Sequence, residues 1–453
     1  MLVFESKLRG EKAQYAALDE ALRTGLFVRN KALRYWMDGW GKTRHDLNKY
    51  CRQLASEFSW AKKLNSMARQ AMAERAWSAI SRFFDNCKKK VPRKKGFPKF
   101  RRHQTRLSVE YKTSGWQLSE CRRYITFTDG FKAGTFKLWG TRDLHFYQLS
   151  RTRGANSFRP LEMSAQIKRV RVVRRADGYY CQFCLDVDRV ERREPTGKTI
   201  GLDVGLNHFY SDSDGEKVEN PRYLRKSEKA LKREQRRLSR KQKGSKNRVK
   251  ARNRWGRKHL KVQRQRRDFA VKLARSVALS NDVIAFEDLK VRNLVKNHNL
   301  AQSITDASWS MFRQWLEYFG KVFGVVTVAV PPQNTSQKCS GCQQVVKKSL
   351  STRIHRCSCG TVLCRDTNAA INILKIGLRT QGHWGTHACG HDHLCTQNGN
   401  GLEVSGVVEA GNLSSDVRNP RPQNLHEASS FMKVLGRGGC QLDKYTLFPN
   451  SLK

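Results

Sequence analysis

Two closely spaced cysteine pairs lie in the last third of this 453-residue chain. Fourteen residues separate the pairs, which are Cys339 with Cys342 and Cys357 with Cys359. Four thiolates at this spacing can complete the tetrahedral coordination of Zn²⁺, so residues 335–364 are predicted to form a zinc ribbon. Because the second pair has one intervening residue instead of two, Cys364 or His355 could replace one ligand. Such a closed site is structural and does not by itself indicate an enzyme.

Three carboxylates that are distant in sequence could form a second metal site. Asp203 lies on an alternating apolar strand, Glu287 ends another apolar strand, and Asp366 stands at the start of a helical segment. Mg²⁺ prefers carboxylate oxygens and retains waters, so converging acids can hold a two-metal centre that cleaves phosphodiesters. Each acid also has an ordinary explanation: a turn former, a charge at a strand end and a helix N-cap, respectively. The residue types alone leave both explanations open.

The charge of the chain indicates the kind of partner that it binds. Its 88 Lys and Arg residues against 39 Asp and Glu residues give a formal net charge of +49, too large for an ordinary metabolic enzyme. Within residues 222–267 there are 22 basic residues and two acids, and phosphates are the plausible counter-ions there. Nucleic acid is therefore the expected partner.

The sequence does not resemble a membrane or secreted protein. Its apolar runs are too short for a membrane-spanning helix, and Glu5 and Lys7 interrupt the stretch where a signal peptide needs apolar residues. The thirteen cysteines then indicate a reducing compartment, where metal ligands are more common than disulfides. We expect a cytoplasmic, nucleoid-associated prokaryotic protein with no membrane partner and no obligate protein partner.

The first half of the chain changes from strand to helix and back to strand. The sequence predicts one strand over 1–10 and a block of helices rich in Ala and Leu over 13–86. It predicts short strands separated by Asp-Gly turns over 105–190. The helices are thus expected to interrupt one β domain. A basic segment with aromatic residues, 88–102, could follow a phosphate backbone or form a solvated loop. Cys181 and Cys184 lie in an apolar strand, so we interpret them as buried thiols.

The second half is predicted to be a mixed α/β region. We expect a strand with a hairpin at 198–220 and two basic helices at 222–279. Two apolar strands are expected at 283–286 and 325–330, and a final helix from 366 onwards. The basic helices should break near Gly244. Beyond Gly377, Gly, Asn, Ser and His dominate, and most of this tail is expected to be disordered. Its His and Cys residues between 383 and 395 could form another metal site.

Several ordered motifs resemble the transposon-encoded TnpB family. Three segments around the carboxylates are similar to its RuvC motifs: GLDVG at 201–205, FEDL at 286–289 and RDTNAAINI at 365–373. Other segments similar to the family are GFPKF at 96–100, ASWSMFRQWLEY at 307–318 and QNTSQKCSGC at 333–342. The resemblance is dense over residues 196–376 and absent from the tail. Several motifs in order around one ribbon are far more specific than any single motif.

The resemblance implies an α+β multidomain fold. A β-barrel wedge domain would comprise residues 1–10 and 96–195, with a helical recognition domain, 11–95, inserted in it. An RNase H-like (RuvC) α/β nuclease domain would comprise 196–334 and 365–377, with an inserted zinc-ribbon domain, 335–364, that binds target nucleic acid. The tail would comprise 378–453. The basic helical hairpin, 222–279, belongs to the nuclease domain.

The resemblance also implies an activity. The family uses a transposon-derived guide RNA, called an OMEGA RNA, to cleave double-stranded DNA beside a short target-adjacent motif. Asp203, Glu287 and Asp366 would hold two Mg²⁺ ions, one activating the attacking water and the other stabilising the leaving 3′ oxygen. The four paired cysteines would hold a structural Zn²⁺. The family often has an acid two residues before the last catalytic Asp, whereas this chain has Cys364 there.

Three other functions fit parts of the sequence. An RNA-guided DNA-binding repressor descended from such a nuclease would lose catalytic carboxylates, whereas all three are present. A compact type V CRISPR effector would share the chemistry but take its guide from a CRISPR array. A transposase that cuts and joins DNA itself would place three acids on an RNase H fold, but the ribbon and the basic hairpin between those acids fit TnpB better.

Overall fold

The computed structural model describes residues 2–39, 41–89, 95–101, 107–140, 144, 148–150, 164–349 and 351–381. The chain divides into two compact units. The N-terminal unit is built mainly from Phe4–Arg174 with Tyr179–Cys184, and the C-terminal unit mainly from the described residues between Leu185 and Thr396. Among the described residues, no helix is both long and apolar enough to cross a membrane.

Four helices follow the first strand in the N-terminal unit: α1 Lys12–Met37, α2 Arg44–Glu57, α3 Ser59–Lys62 and α4 Ser66–Lys88. Side-chain caps explain where two of them begin. The Thr43 hydroxyl accepts a hydrogen bond from the Asp46 N–H, and the Asn65 side chain accepts one from the Met67 N–H. Their apolar faces pack together, and fully buried side chains there include Leu22, Leu33, Leu47, Leu54 and Ile80.

The N-terminal unit also contains an eight-stranded sheet. Its strands are β1 Leu2–Arg9, β2 Ser108–Tyr111, β3 Trp116–Leu118, β4 Tyr124–Phe127, β5 Gly134–Trp139, β6 Gln148–Ser150, β7 Ser164–Arg175 and β8 Gly178–Leu185. Their order is β2-β7-β8-β1-β5-β4-β3, with β6 paired to β7, so the four helices interrupt this sheet in sequence. Within the described residues β2 and β3 do not pair with each other, and closure into a barrel stays a prediction.

Cys181 and Cys184 lie on β8 and are buried, as their apolar surroundings predicted. Burial raises the pKa of both thiols, well above the ordinary value in the case of Cys181. These cysteines are therefore packed as small apolar side chains and are protonated at neutral pH.

A five-stranded sheet forms the centre of the C-terminal unit. It contains β9 Thr199–Val204, β10 His208–Asp212, β11 Lys217–Glu219, β12 Val283–Glu287 and β13 Val326–Val330, in the order β11-β10-β9-β12-β13. The hairpin strands β10 and β11 are antiparallel, whereas β9, β12 and β13 are parallel. Side chains of Leu202, Ile284 and Ala285 are fully buried, as expected for parallel strands covered on both faces.

The remaining helices of this unit are α5 Tyr223–Ser239, α6 Lys246–Ser280, α7 Val291–Leu294, α8 His298–Ala307, α9 Trp309–Phe323 and α10 Arg365–Gln381. Helix α9 packs against α6, and its apolar face enters the core through Trp309, Phe312, Leu316 and Phe319. Helix α10 packs on the sheet against β9, β12 and β13. At Gly201 on β9, an added Cβ would lie 2.1 Å from the carbonyl oxygen of Ala370, so only glycine permits this approach.

The basic run forms two helices, α5 and α6, that pack against each other. The break falls at residues 240–245, where Gly244 has a positive φ of 87° and the Ser245 hydroxyl accepts from the Arg248 N–H to cap α6. At the other end, the Asp306 carboxylate accepts from the N–H groups of Leu224 and Arg225. Asp306 also pairs with Arg266 at 3.0 Å, which ties α8 to both basic helices.

The cysteine segment forms a small ribbon between β13 and α10. Its strands β14 Ile354–Arg356 and β15 Val362–Cys364 pair in antiparallel fashion. Helix α10 continues to Gln381, so residues 378–381, which we assigned to the tail, are helical. The rest of the tail, 382–453, with its His and Cys tract, lies outside the described residues.

Candidate metal centres

The parallel register of β9 and β12 brings two of the predicted acids together. Leu202 is paired with Phe286, so the residues that follow, Asp203 and Glu287, stand side by side at the carboxyl ends of adjacent strands. Asp366 lies in the first turn of α10, which packs on both strands. Three carboxylates that are distant in sequence thus meet at one edge of the sheet, a common place for ligand sites in α/β folds.

The pKa of Asp203 is affected by the two neighbouring carboxylates. Burial raises its pKa well above the ordinary value, and the charges of Glu287 and Asp366 raise it further. Burial also raises the pKa of Glu287, although a hydrogen bond from the hydroxyl of Thr335 opposes the rise. A buried carboxylate whose charge two neighbouring acids destabilise is stabilised by a bound cation, so the donor set fits a hard divalent metal.

Neighbouring side chains hold the acids in place. The Thr335 hydroxyl, itself buried, donates to Oε1 of Glu287 at 2.7 Å. Nε of Arg365 lies 3.3 Å from Oδ1 of Asp366. Cys364 stands two residues before Asp366, where the family often has an acid. Its sulfur receives a hydrogen bond from Nζ of Lys217 at 3.2 Å. A lysine therefore faces the thiol at this edge of the site.

The four paired cysteines form a tight cluster, with their sulfur atoms within 4.8 Å of one another. Sγ of Cys339 lies 3.6 Å from that of Cys359, and Sγ of Cys342 lies 3.5 Å from that of Cys357. In the part of the chain that the structure describes, this is the one group of three or more candidate ligands so close together, and the three carboxylates are spaced more widely. The four thiols fit the tetrahedral donor set of Zn²⁺.

Neither alternative ligand is one of the four clustered atoms. Cys364 contacts Lys217 instead, and the fully buried His355 has its Nδ1 against Nζ of Lys348 and hydrogen-bonds the side chain of Cys339. Within the cluster, hydrogen bonds from the Thr361 hydroxyl and backbone lower the pKa of Cys359 to about 6. A thiolate, the form that binds metal, is therefore accessible near neutral pH.

Two buried asparagines join helix α10 to the beginning of the ribbon segment. Asn368 accepts from the Ser340 N–H at 2.8 Å and donates to the Lys338 carbonyl at 2.8 Å. One turn later, Asn372 donates to the carbonyls of Thr335 and Lys338 at 2.9 and 2.7 Å. The helix that carries Asp366 thus also holds the segment that carries Thr335 and the first cysteine pair.

Replacing Asn368 with alanine should therefore destabilise the chain by about 1–3 kcal/mol, because the buried Ser340 N–H loses its acceptor. The Lys338 carbonyl keeps its hydrogen bond from Asn372. Chemical denaturation of the purified protein would measure this loss. Thr380→Ala is the matched control, since Thr380 is exposed on the same helix and bonds only to its own turn at Ile376. Equal free energies of unfolding for the two variants would contradict the assigned role of Asn368.

The roles of Thr335, Asn368 and Asn372 were not found from the sequence, although all three lie in segments that resemble the family. The spacing of Asn368 and Asn372 places them on one face of α10, and two buried polar residues at this spacing are a usable signal. What they bind depends on the path of residues 335–340, which no local pattern reveals.

Comparison with known proteins identifies the family. Residues 182–298 match the OrfB_IS605 family, described as "Probable transposase", and residues 309–373 match the TNB domain of Cas12f1-like proteins. A "Putative RNA-guided DNA endonuclease" of Streptomyces pristinaespiralis is 32% identical over 375 residues, covering 81% of this chain and 86% of the relative. The chain belongs to the TnpB family. The resemblance inferred from the motifs is thereby confirmed.

Other TnpB-family relatives match shorter parts of the chain. The "Putative RNA-guided DNA endonuclease InsQ" of Escherichia coli K12 is 32% identical over 233 residues, which are 48% of this chain and 58% of that protein. The "TnpB-like protein L79" of Acanthamoeba polyphaga mimivirus is 30% identical over 128 residues, 27% of this chain and 24% of that protein. The two family matches include Asp203 and Glu287 in the first, and the four cysteines with Asp366 in the second.

Solved structures of compact CRISPR effectors overlap the TnpB-family chain at low sequence identity. The Cas12f1–sgRNA–target DNA complex covers 80% of this chain and 83% of its own, with a TM-score of 0.49 and 15% identity. The mini-RNA-guided endonuclease CRISPR-Cas_phi3 covers 83% and 92%, with a TM-score of 0.45 and 9% identity. Membership of the family rests on the sequence relatives.

Proposed function

We propose that this TnpB-family chain is an RNA-guided endonuclease that cleaves double-stranded DNA beside a target-adjacent motif. The observation that carries the proposal is the meeting of Asp203, Glu287 and Asp366 at one sheet edge, within segments shared with relatives named as RNA-guided DNA endonucleases. A protein that only binds nucleic acid has no need for a buried carboxylate, Asp203, whose charge two neighbouring acids destabilise.

The three carboxylates are the proposed ligands of Mg²⁺. Two bound ions would supply Lewis-acid stabilisation of the attacking and leaving oxygens of the phosphodiester. The protein's own part is to orient the acids. Glu287 is fixed by the Thr335 hydroxyl, and Asp366 by the guanidinium of Arg365.

The four cysteines are the proposed ligands of a structural Zn²⁺. They lie on the segment that Asn368 and Asn372 hold against α10, so the folded ribbon supports the position of Thr335 and, through it, of Glu287. We assign the ribbon, 335–364, to contact with target nucleic acid. The wedge and recognition domains are proposed with the boundaries inferred from the sequence, and the nuclease domain extends to the end of α10 at Gln381.

Guide RNA and target DNA together account for the charge. With 22 basic residues and two acids within 222–267, α5 and α6 present far more cations than the chain neutralises. Such a surface binds phosphates by counter-ion release, which supplies affinity without sequence information. Pairing between guide and target would supply the sequence information.

The test is to sequence the RNA that copurifies with the protein and to supply plasmid DNA that carries the matching target beside a randomised flank. Cutting of the matched plasmid, with depletion of particular flanks, is the expected result. Binding without cutting of any target would support the RNA-guided repressor instead. A transposon-end transcript supports the OMEGA guide, a CRISPR transcript supports a type V effector, and absence of RNA contradicts RNA guidance.

Replacing Thr335 with valine should raise the Mg²⁺ concentration needed for half-maximal cleavage by about 10- to 100-fold, since partners of metal ligands have effects of this size. Valine keeps the shape of the side chain but removes the hydroxyl that donates to Glu287. A titration of cleavage rate against Mg²⁺ measures the change. Thr335→Ser keeps the donor and should behave like the parent; a serine variant as weak as the valine variant would exclude the hydroxyl as the cause.

A further inference from the structure

The outward side of strands β1, β5 and β4 carries an unusual set of side chains. Lys7 is paired with Trp139, and Arg9 with Lys137, across β1 and β5. Tyr124 on β4 is paired with the same Lys137. Because directly paired residues point to the same side of a sheet, these five side chains share one surface, which we call the β1–β5–β4 face.

The opposite side of the same strands is an ordinary core. Leu8, Phe136, Leu138, Ile125 and Phe127 alternate with the residues of the β1–β5–β4 face and are buried. The hydrophobic core of this sheet is therefore formed on that side. A solvent-facing side of an antiparallel sheet is usually polar, so packing within the sheet does not explain aromatic residues on it.

Trp139 is the larger and the more exposed of the two aromatic side chains on the face. Its side chain is 60% exposed and Tyr124 is 40% exposed, so large parts of both rings are open to a ligand. The Arg9 guanidinium lies over the Trp139 ring, 4.1 Å from its centroid. The cation orients the indole through cation–π attraction, while the exposed remainder of the ring offers a flat surface.

The charges around Trp139 indicate the kind of ligand. Lys7, Arg9 and Lys137 are all cationic and lie on the same side of the sheet. The nearest acid on β1, Glu5, accepts a hydrogen bond from Nε2 of Gln182 at 2.7 Å. A flat ring bordered by three cations matches a flat base attached to a phosphate backbone, and such platforms recur in proteins that bind single strands.

We propose that the β1–β5–β4 face binds single-stranded nucleic acid, with a base stacked on Trp139 and the backbone phosphates held by Lys7, Arg9 and Lys137. The inference rests on the proposed function only in taking nucleic acid as the ligand, and it assigns a binding site separate from the carboxylates. RNA and DNA share the base and the phosphate, so both are tested.

The experiment measures the affinity of the full chain for fluorescent oligo(U) and oligo(dT) in magnesium-free buffer, where no strand is cut. Trp139→Ala should weaken binding of one or both by about 5- to 150-fold, the range for loss of one stacked base. Trp139→Phe keeps a ring and should retain most of the affinity. Thr135→Ala is the matched control, since Thr135 is exposed on the same strand and surface, and it should bind like the parent.

Two further readouts separate stacking from charge. An abasic oligo(dT) should bind the parent about as weakly as it binds Trp139→Ala, because neither pair has a stacked base. Lys137→Ala should reduce the slope of log affinity against log salt by about 1, whereas Trp139→Ala should leave that slope unchanged.

Equal affinities of the parent and Trp139→Ala for both oligonucleotides would overturn the proposal. So would an equal loss with base-bearing and abasic strands, or no binding by the parent. A loss confined to oligo(U) assigns the face to RNA, and a loss confined to oligo(dT) assigns it to DNA. Because no cleavage is measured, a protein that never cuts DNA can still bind through Trp139, so the two proposals fail independently.

Discussion

Replacing Asp203 with asparagine is expected to lower the rate of target DNA cleavage by about a thousandfold or more. A catalytic metal contributes several kcal/mol to transition-state stabilisation, and each 1.4 kcal/mol corresponds to a factor of ten in rate. Asparagine has nearly the same shape but no charge, so the site loses a metal ligand without losing volume. Single-turnover cleavage of a plasmid by the protein with its copurified RNA measures the effect.

The variant should keep its fold and its RNA. Asp203 has a raised pKa because burial and two neighbouring acids destabilise its charge, so removing that charge does not cost the folded state stability. Unchanged RNA content and an unfolding temperature no lower than the parent's are therefore expected. Asp214→Asn, in the exposed turn between β10 and β11, is the matched control and should cut normally. Cleavage by Asp203→Asn at the parent's rate would show that the active site lies elsewhere.

Replacing Cys359 with serine is expected to abolish zinc binding and to unfold the ribbon. Structural zinc contributes about 10–16 kcal/mol of apparent binding free energy in small domains, far more than the ribbon's two short strands can supply. Elemental analysis should find one Zn²⁺ per parent chain and none in the variant. A lower thermal unfolding midpoint and loss of cleavage should accompany the missing metal, because the ribbon segment also positions Thr335.

Cys121→Ser provides the control for this experiment. Cys121 is an exposed free cysteine in the N-terminal unit, so its replacement removes a thiol without touching the cluster. Its zinc content and unfolding midpoint should equal those of the parent. Retention of zinc by Cys359→Ser would instead point to a different fourth ligand, and Cys364→Ser in the same background would then test the neighbouring thiol.

The elements of the fold and the cluster of four cysteines were predictable from the sequence because their signals are local. Two cysteine pairs, the alternation around Asp203 and the basic run with its break at Gly244 each occupy one stretch of chain. Periodicity and spacing within such a stretch determine which residues share a face or a turn. The structure accordingly forms the ribbon, the strand and the helical hairpin at those positions.

The arrangement around these residues depends on contacts between distant parts of the chain. Asp203 meets Glu287 only through the parallel pairing of β9 with β12, and Asp366 reaches them because Gly201 admits the backbone of α10. Sequence motifs identified these three acids by resemblance, since no local pattern specifies the register between separate strands.

The sequence alone therefore determined the family, the candidate metal ligands and the expectation of a nucleic-acid partner. Only the tertiary structure decided how Thr335 and Asn368 support the acids and the ribbon, and that Arg9 covers one part of an exposed Trp139. The physical reason is that charge and residue spacing are properties of short segments. The partner of a buried hydroxyl or amide, and the exposure of a ring, are set by the packing of the whole core.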